Sequence, residues 1–533
     1  MAKKKKSDGN VVLNWSSKDK VLSNDTSPSE ASFNKKEVVL ANNLQNKFYP
    51  NTTKNQKNFK NRIIKGDNLE VIQLLLNSGL REQVKLIYID PPFLSQAYYS
   101  HSVRIKEKNL KIRRRAYHDK WSTSEYLDML YSRLILMKEL LKSDGTIFLH
   151  SDWHASSRIQ ILLDEVFGEE NFLNEIIWNY GGRGAKAISG QFPRNHDTIY
   201  VYGKSKEAKL KKIYTQKILT PKEARKIGIK IDADGNYFKT APRGDYTDKS
   251  IKELEQDGRI YRTRTGKIRI KYPLQKVGGN IIEEKLIGDV WSDVPDAMHI
   301  SEQEKTGYGT QKPIKLLRRI IESATDDGDL VLDLFSGSGT TAVAAERLKR
   351  RWILSELGET AVYVTKKRLI TEKFSPFTIE ELITDSKEKK VTKKTADIKV
   401  KLSIKEVDGN SGINFLLTLK ITGFKLRKSS LESAVEADKK NSELLFSLSK
   451  EAPAALIDLW SVDWDYDGEV FCSSWHSVKN IKEDSIERED KKRKEALIVC
   501  DEATIRVEKK PKKIALRIVD ILGDENEVII SVK

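Results

Sequence analysis

Two short motifs combine residue types that suit a reaction at the amine of a planar base. The first is Asp90-Pro91-Pro92-Phe93, which follows the apolar run 84–89. Such a run is typical of a buried parallel strand, and the prolines must end it because they donate no N–H to a ladder. The aspartate carboxylate and a proline carbonyl can accept the amine hydrogens while the phenylalanine ring stacks on the base. A tight turn whose aspartate caps a helix is the competing structural interpretation, because short motifs also match by chance.

The second motif is a glycine-rich turn between a predicted strand and a predicted helix, at 331–341. Glycines let the backbone approach a ligand at a helix N-terminus. The next strand ends in Glu356, where an acidic residue commonly takes ribose hydroxyls. A dinucleotide fingerprint fits this turn only loosely, whereas Asp333-x-Phe335-x-Gly337 is closer to a methyl-donor loop.

Strands and helices alternate around both motifs, which indicates an α/β fold. The spacing of apolar residues predicts strands at 84–90, 146–151, 330–333 and 352–354, and helices at 125–141, 314–323 and 361–369. Each motif ends a predicted strand. Because open α/β sheets bind ligands at the carboxyl ends of their strands, we expect both motifs at one edge.

Charge and cysteine content narrow the class of protein. The 533-residue chain has 95 Lys and Arg against 77 Asp and Glu, a net charge of +18, which favours a polyanionic partner such as nucleic acid. Its two cysteines indicate a reducing compartment. The basic start lacks the apolar run of a secretory signal, and no stretch is long enough to span a bilayer. We therefore expect a cytoplasmic protein without a membrane partner.

Several further motifs occur in a recognisable order. They are the segments 64–70, 117–121, 144–147, 195–199, 289–291 and 306–313, of which the last reads Thr-Gly-Tyr-Gly-Thr-Gln-Lys-Pro. Together with the two motifs above, they resemble the β-class of amino-group DNA methyltransferases, especially the modification subunits of type III restriction systems. In that class the catalytic motif precedes the cofactor motif, with the target-recognition region between them. The resemblance covers roughly residues 61–372.

This resemblance implies a Rossmann-like S-adenosylmethionine-dependent methyltransferase sheet in permuted motif order. It implies that Asp90, Pro91, Pro92 and Phe93 hold the target base. It also implies a set of cofactor-binding residues: Asp333, Phe335, Gly337, Gly339, Thr340, Glu356, Lys312 and, more weakly, Asp67. An aspartate at position 90 points to adenine N6, because a serine usually stands there in the cytosine N4 enzymes. No metal is expected.

Basic residues in two regions are candidates for contact with double-stranded DNA. Those that closely follow the catalytic motif are Arg104, Lys106, Arg113, Arg114 and Arg115. Those in the polar, turn-rich insert are Arg262, Arg264 and Arg269. A solvated basic loop is the ordinary alternative for such charge runs. By family analogy, a restriction (helicase-nuclease) subunit is a further candidate partner, as is a second copy of the chain.

These inferences divide the chain into five parts. We predict a disordered or weakly ordered extension at 1–58, with a short element near 38–40. The catalytic half follows at 59–203, the target-recognition region at 204–287 and the cofactor-binding half at 288–372. The last part, 373–533, contains a Lys/Thr-rich linker at 387–394, and we expect it to form a separate β-rich domain and a candidate partner-binding region.

Four alternatives remain open from the residues. Cytosine N4 methylation uses the same machinery, and methylation of an RNA substrate is a further alternative within the same class. A nicotinamide-dependent oxidoreductase would use the glycine-rich turn but leaves Asp90-Pro91-Pro92-Phe93 unexplained. A catalytically silent DNA-binding subunit would bind DNA without taking up the methyl donor.

Overall fold

The computed structural model describes residues 13–19, 31–40, 60–95, 98–105, 110–118, 121–181, 192–372, 374–383, 395–409, 412–427, 443, 447–448, 453–479 and 499–532. Within these ranges, no helix combines the length and the apolar character needed to cross a membrane.

Helices and strands alternate through the first half of the chain, as the sequence predicted. The helices in the described residues are α1 (Asn68–Leu75), α2 (Thr123–Leu140), α3 (Ser156–Phe167), α4 (Pro221–Lys226), α5 (Asp248–Gln256), α6 (Ile314–Ala324), α7 (Thr340–Arg347) and α8 (Glu359–Glu372). The strands before residue 210 are β1 (Ser32–Val39), β2 (Asn61–Lys65), β3 (Val84–Ile89), β4 (Tyr98–Ile105), β5 (Leu110–His118), β6 (Leu141–Ser151), β7 (Phe172–Asn179) and β8 (His196–Gly203).

The later part of the chain is richer in strands. Its middle strands are β9 (Tyr214–Leu219), β10 (Lys230–Ile231), β11 (Tyr237–Pro242), β12 (Ile260–Arg262), β13 (Ile268–Pro273), β14 (Gln275–Val277), β15 (Asn280–Leu286) and β16 (Val290–Trp291). The remaining strands are β17 (Leu330–Asp333), β18 (Arg351–Glu356), β19 (Phe377–Ile383), β20 (Ala396–Gly409), β21 (Gly412–Leu426), β22 (Ile457–Asp463), β23 (Phe471–Ser473), β24 (Trp475–Val478), β25 (Glu502–Val507), β26 (Lys513–Asp520) and β27 (Glu525–Ser531).

The largest sheet brings the strands of both motifs side by side. In the described part of the chain its order is β16-β7-β8-β6-β3-β17-β18-β2-β19-β1-β23. The central strands β6, β3, β17, β18 and β2 are parallel, and both β3 and β17 are almost wholly buried apolar runs, as expected for strands covered on both faces. Tyr88 pairs with Asp333 across β3 and β17. The chain therefore leaves both strands at the same edge.

The helices cover this sheet through apolar faces. α2 starts with a capping box in which the Ser122 and Glu125 side chains bond to each other's backbone N–H groups. Its apolar residues, with those of α1 and α3, pack into the main hydrophobic core beside β3 and β6. α6 follows Pro313, whose fixed φ suits the residue before a helix, and buries Leu316, Leu317 and Ile320. These helices fix the strand ends that carry the motifs.

Residues 211–290 form a compact unit of their own, with one four-stranded and one three-stranded sheet. Its small core contains Leu219, Ala224, Ile229, Tyr237 and Ile281. The sequence placed the target-recognition region at 204–287. The first residues of that range belong instead to the larger unit, because the Lys204 N–H bonds to the Gly145 carbonyl at 2.9 Å and the Ser205 hydroxyl to the Ser143 carbonyl at 2.9 Å.

The C-terminal region is rich in strands, as predicted, but it is not separate from the large sheet. Residues 291–533 form one compact unit with residues 1–210. β23 pairs in parallel with β1, and the buried Lys366 of α8 bonds to Glu37 of β1 at 2.8 Å. Lys367 bonds to Asp458 at 2.7 Å, which joins α8 to β22. The sequence missed this union because pairing between segments more than 400 residues apart leaves no local pattern.

The predicted N-terminal extension contains one strand within the described residues. β1 runs from Ser32 to Val39 and lies antiparallel to β19, so the short element expected near 38–40 is longer than predicted. Most of the predicted disordered extension lies outside the described residues. The predicted linker 387–394 also lies outside them.

Candidate active site

The two sequence motifs share one cavity of about 520 Å³. It is lined by all four residues of the first motif, Asp90, Pro91, Pro92 and Phe93. It is also lined by most of the predicted cofactor-binding residues: Asp67, Lys312, Asp333, Phe335, Gly337, Thr340 and Glu356. Gly339 is not part of the lining. The volume lies within the range typical of small-molecule sites.

One oxygen of the Asp90 carboxylate lacks a hydrogen-bond partner in the described part of the chain. Oδ2 forms an ion pair with the Lys312 ammonium. Oδ1 is buried and has no hydrogen-bond partner among the described residues. A buried carboxylate oxygen without a donor is costly. This oxygen is therefore suited to accept a hydrogen bond from a bound group.

The ring of Phe93 lies close to a cation and to a buried polar network. The Lys312 ammonium is 4.9 Å from the ring centroid of Phe93, and the His150 ring centroid is 5.8 Å away. His150 is fully buried, with Nδ1 3.1 Å from the Tyr88 hydroxyl and Nε2 3.0 Å from Asp197 Oδ2. These contacts restrict the orientation of the Phe93 ring.

The pKa values of Tyr88 and Asp197 indicate which atoms donate and which accept in this network. Burial, followed by the charges of Asp90 and Asp333, raises the pKa of Tyr88, so its hydroxyl stays protonated and donates to His150 Nδ1. Burial by itself would raise the pKa of Asp197. The hydrogen bonds from His150 and Tyr180, together with the charge of Lys312, outweigh burial and lower that pKa, so the carboxylate accepts from Nε2. Sequence reasoning noted the motif that contains Asp197 but missed His150, whose one signal is a polar residue ending an apolar strand.

The glycine-rich turn has a conformation that requires glycine. Gly337 and Gly339 have φ of +49° and +71°, a region that side chains disfavour. A Cβ on Gly339 would also overlap the side chain of Thr365. The Thr340 hydroxyl, at the start of α7, donates to the Lys312 carbonyl at 3.0 Å. The turn is thus tied to Lys312, which pairs with Asp90 of the first motif.

Glu356 fastens this turn to the end of β18. Its Oε2 accepts from the Gly337 N–H at 2.8 Å, and its Oε1 accepts from the N–H groups of Leu357 and Gly358, both at 3.0 Å. Burial raises the pKa of this carboxyl, and the three N–H groups act in the opposite direction. A carboxylate has about four acceptor positions. Glu356 therefore retains capacity for about one ligand hydroxyl.

Asp333, at the end of β17, is a buried acid with two internal donors. It accepts from the Phe335 N–H at 3.0 Å and from the Thr341 hydroxyl. Burial raises its pKa to about 7 in spite of these bonds, and the charges of Asp90 and Glu356 act in the same direction as burial. The side chain is therefore poised between its neutral and ionised forms near neutral pH.

Asp333→Asn is expected to change how stability depends on pH. The folded-state pKa of about 7 lies above the ordinary value of 3.8. Between these values the folded protein binds more protons than the unfolded chain, so the free energy of unfolding of the wild type falls as pH rises. The free energy of unfolding of the variant, relative to that of the wild type, should therefore rise by roughly 2–3 kcal/mol from pH 5 to pH 8. Urea unfolding of both proteins at each pH measures it, and a pH-independent difference would contradict the burial argument.

Asp67 has structural partners as well as a place in the cavity lining. It caps α1 by accepting from the Leu69 N–H at 2.8 Å. Both its oxygens also accept from the mostly buried Arg133, at 3.0 and 3.1 Å. Arg133 in turn donates to Asn68, whose amide donates to the Leu334 carbonyl at 2.8 Å. Asp67 therefore helps to hold the residue that starts the glycine-rich turn.

Asp67→Ala should lower the free energy of unfolding by about 1–3 kcal/mol, because it removes a helix cap and leaves Arg133 without its carboxylate. Asp67→Asn keeps an oxygen for the cap and should lose less. Chemical denaturation of both variants, beside calorimetric titration of the predicted methyl donor, separates the roles. Weaker donor binding at unchanged stability would instead indicate direct contact with the ligand.

The first group of predicted DNA-contacting residues falls on a hairpin. β4 and β5 pair antiparallel, and Arg104, Arg113, Arg114 and Arg115 lie on these strands. Lys106 lies outside the described residues. Backbone pairing over 98–105 and 110–118 thus puts these arginines on one β-ribbon that follows the catalytic motif.

The second group lies in the compact unit 211–290. Arg264 is exposed in the turn between β12 and β13. Arg262 is exposed too and forms an ion pair with Glu255 at 2.6 Å. Arg269 donates to the hydroxyl and the carbonyl of Thr240, both at 2.9 Å. Arg269 therefore has a structural role within its sheet that the sequence did not reveal.

Several lining residues were missed by sequence reasoning. They are Asn68, Tyr88, Trp121, Arg133 and Tyr308. Tyr308 belongs to the motif 306–313, which was the available signal. Across the described ranges, no group of three or more His, Cys, Asp or Glu side chains is placed to hold a metal ion.

Comparison with known proteins identifies related chains. A family model described as DNA methylase matches residues 84–367. The Type II methyltransferase M.EcaI of Enterobacter cloacae is 31% identical over 320 residues, which cover 55% of this chain and 66% of that protein. The Type III restriction-modification enzyme StyLTI Mod subunit of Salmonella typhimurium is 28% identical over 343 residues, covering 56% of this chain and 51% of that protein. The chain thus spans about half to two thirds of the length of these relatives. The solved M1.HpyAVI-SAM complex aligns with a TM-score of 0.34 at 18% identity, over 58% of this chain and 98% of that one.

Proposed function

Because this chain belongs to the DNA methylase family, we propose that it transfers a methyl group from S-adenosylmethionine to the N6 amine of an adenine in double-stranded DNA. One observation carries the proposal. Asp90, whose carboxylate has one unpartnered oxygen, and the glycine-rich turn that precedes α7 line a single cavity. A base acceptor and a nucleoside-binding turn within one cavity are the two parts that an amino-methyl transfer needs.

The lining of the cavity fits the methyl donor. S-adenosylmethionine carries ribose hydroxyls, and Glu356 retains acceptor capacity beside the turn. The Ser336 hydroxyl is buried without a partner among the described residues, so a ligand can satisfy it. Phe335 and Thr340 line the same space and complete the proposed donor site with Asp333. When bound, the donor supplies an electrophilic methyl group.

The first motif is suited to hold and activate the target base. Adenine's exocyclic amine is a weak nucleophile because its lone pair is delocalised into the ring. Asp90 Oδ1, as acceptor of an amine hydrogen, favours a pyramidal nitrogen with an available lone pair. Lys312 holds the other oxygen, so the carboxylate is oriented before the base arrives. Phe93, which contacts Lys312 and His150 and lines the cavity, is the proposed ring on which the base stacks.

The proposal of adenine, not cytosine, as the target base depends on the identity of one residue. Asp90 stands at the first position of the motif, where the cytosine N4 enzymes usually have serine. The target amine lies within the duplex, so the base must leave the stack, at a cost of a few kcal/mol. Stacking on Phe93 offsets about 1–3 kcal/mol of this. The basic hairpin β4–β5 and the arginines of the unit 211–290 are the proposed source of the remaining contacts with DNA.

The likeness to a Mod subunit supports a role as the modification subunit of a restriction-modification system. A restriction subunit would then be a partner, with 373–533 as the proposed docking region. Purification of the full chain from its native host, followed by mass spectrometry for a co-purifying helicase-nuclease subunit, tests this. A second copy of the chain is the other proposed partner, and light scattering distinguishes a monomer from a dimer.

The function is tested with the purified full chain and unmethylated genomic DNA. After incubation with S-adenosylmethionine that carries a labelled methyl group, the DNA is digested and its nucleosides are separated. Sequencing of the methylated positions then gives the recognition sequence. The expected product is N6-methyl-2′-deoxyadenosine in one sequence context.

Other products would each favour a different function. Labelled N4-methylcytosine would show that the enzyme methylates cytosine and not adenine. Uptake of donor without any labelled nucleoside would contradict the transfer, and DNA binding without donor uptake would indicate a silent DNA-binding subunit. Hydride transfer with a nicotinamide cofactor would support the oxidoreductase alternative.

A further inference from the structure

An exposed aromatic stack follows the end of β6, outside the cavity. Trp153 is 52% exposed. The His154 ring lies 3.7 Å from the Trp153 ring, centroid to centroid, with a tilt of 30°. The guanidinium carbon of Arg194 lies 3.7 Å from the Trp153 ring centroid. We call Trp153, His154 and Arg194 the Trp153 stack.

The Trp153 stack lies at the same edge of the sheet as the candidate active site. β6 is the parallel neighbour of β3, and Leu149 pairs with Ile89, the residue before Asp90. The chain then passes from His150, which contacts Phe93, directly to Trp153. The stack therefore begins three residues beyond the network that supports the catalytic motif.

His154 is held by the residue that precedes Trp153. Its Nδ1 is 2.6 Å from Asp152 Oδ2, and its backbone N–H donates to Asp152 Oδ1 at 2.9 Å. Arg194 comes just before β8, the strand that carries Asp197. The stack therefore lies at the sheet edge beside this network, and Trp153 keeps about half of its surface exposed although His154 and Arg194 both lie over its ring.

The chemistry of the stack suits nucleobases. An indole paired with a guanidinium presents a flat, positively charged surface, and bases stack on aromatic rings and on arginine planes in a way that tolerates any base. Phe192, two residues before Arg194, is 95% exposed and adds apolar area to this part of the chain. A basic protein with a net charge of +18 draws DNA toward such a surface.

We propose that the Trp153 stack is a DNA-contacting surface on which a base outside the cavity stacks while the target base occupies it. This inference rests on the proposed function, because it takes DNA as the substrate. It assigns Phe93 and Trp153 to different bases. The Trp153 stack would hold the opened duplex, and Phe93 would hold the target.

The test compares DNA affinity with the rate of methyl transfer. Kd is measured by fluorescence anisotropy with two labelled 30-base-pair duplexes, one with the recognition sequence and one without, in the presence of S-adenosylhomocysteine. Trp153→Ala should raise Kd by about 5- to 150-fold, the range for loss of one base stack. Trp153→Phe keeps a ring and should lie closer to the wild type. The single-turnover rate at saturating DNA should change less than about threefold, because the chemistry lies elsewhere.

Two further variants control for general effects. Ile529→Ala removes an equally exposed apolar side chain, at 52%, from the C-terminal strand β27 and should leave Kd unchanged. Arg194→Met removes the guanidinium and should weaken binding in the same direction as Trp153→Ala. Calorimetric titration of the donor shows whether each variant is folded. If Trp153→Ala does not bind the donor, the test is made with Arg194→Met.

Two results would overturn the proposal. One is an unchanged Kd in both Trp153→Ala and Arg194→Met, and the other is a lowered saturating rate at unchanged Kd. Failure of the proposed function gives a different result, because the wild type would then methylate neither duplex. The Kd values of the variants would still show whether the Trp153 stack contacts DNA.

Discussion

Asp90→Ala is expected to lower the single-turnover rate of DNA methylation by at least about 10²–10³-fold, the typical cost of removing one preorganised polar group that acts on the reacting atoms. The free Oδ1 would no longer accept an amine hydrogen from the base. Binding of S-adenosylmethionine should remain nearly intact, since Glu356 and the glycine-rich turn do not depend on this carboxylate. Rapid-quench assays and calorimetry measure the two quantities.

A second effect must be separated from the loss of chemistry. Asp90 is paired with Lys312, and both side chains are mostly buried, so alanine leaves an ammonium without its partner. Such an uncompensated charge destabilises a protein by itself. Asp90→Ala combined with Lys312→Met should recover stability but not activity. Activity recovered in the double variant, or retained in Asp90→Ala, would refute the role of the carboxylate.

Glu356→Ala is expected to raise the Kd for S-adenosylmethionine by about 10²–10³-fold. Three backbone N–H groups, those of Gly337, Leu357 and Gly358, would lose a charged acceptor. Hydrogen bonds to charged groups contribute about 1.5–3 kcal/mol each, and their loss is not additive. The turn would no longer be held at the end of β18, and the proposed ribose contact would be lost. Calorimetric titration of the donor measures the change.

Two variants make this prediction specific. Glu356→Gln keeps one acceptor oxygen and should give an intermediate Kd. Glu372→Ala removes a carboxylate from α8 that pairs with Arg347 on the surface, and such pairs contribute about 1 kcal/mol or less. Its Kd should match that of the wild type. If Glu356→Ala also binds the donor normally, the turn is held without it and the assignment of this carboxylate is wrong.

The main sheet could largely be predicted from the sequence because its signals are local. Strand Leu330–Asp333 coincides with its prediction, and the predicted helix 314–323 differs by one residue from Ile314–Ala324. Each is bounded by proline, glycine or polar turns at its ends. Apolar runs and their periods are properties of short segments, so they can be recognised without knowledge of the partner strands.

Some details of the site could not be predicted because they depend on partners far apart in the sequence. Asp67 was a candidate ligand, yet it also pairs with Arg133, 66 residues away. His150 lies in a predicted strand, and only the structure shows that its ring faces Asp197. The union of the C-terminal strands with β1 likewise joins segments more than 400 residues apart.

The sequence by itself determined the α/β class, the two strand-end motifs, their order and the family to which they point, because residue type and spacing carry that information. Only the tertiary structure decided that β3 and β17 are direct neighbours, that Lys312 occupies one oxygen of Asp90 and leaves the other free, and that Glu356 already holds three backbone N–H groups. The reason is physical: strand order, burial and hydrogen-bond satisfaction arise between segments, and they exist only once the chain has brought those segments together.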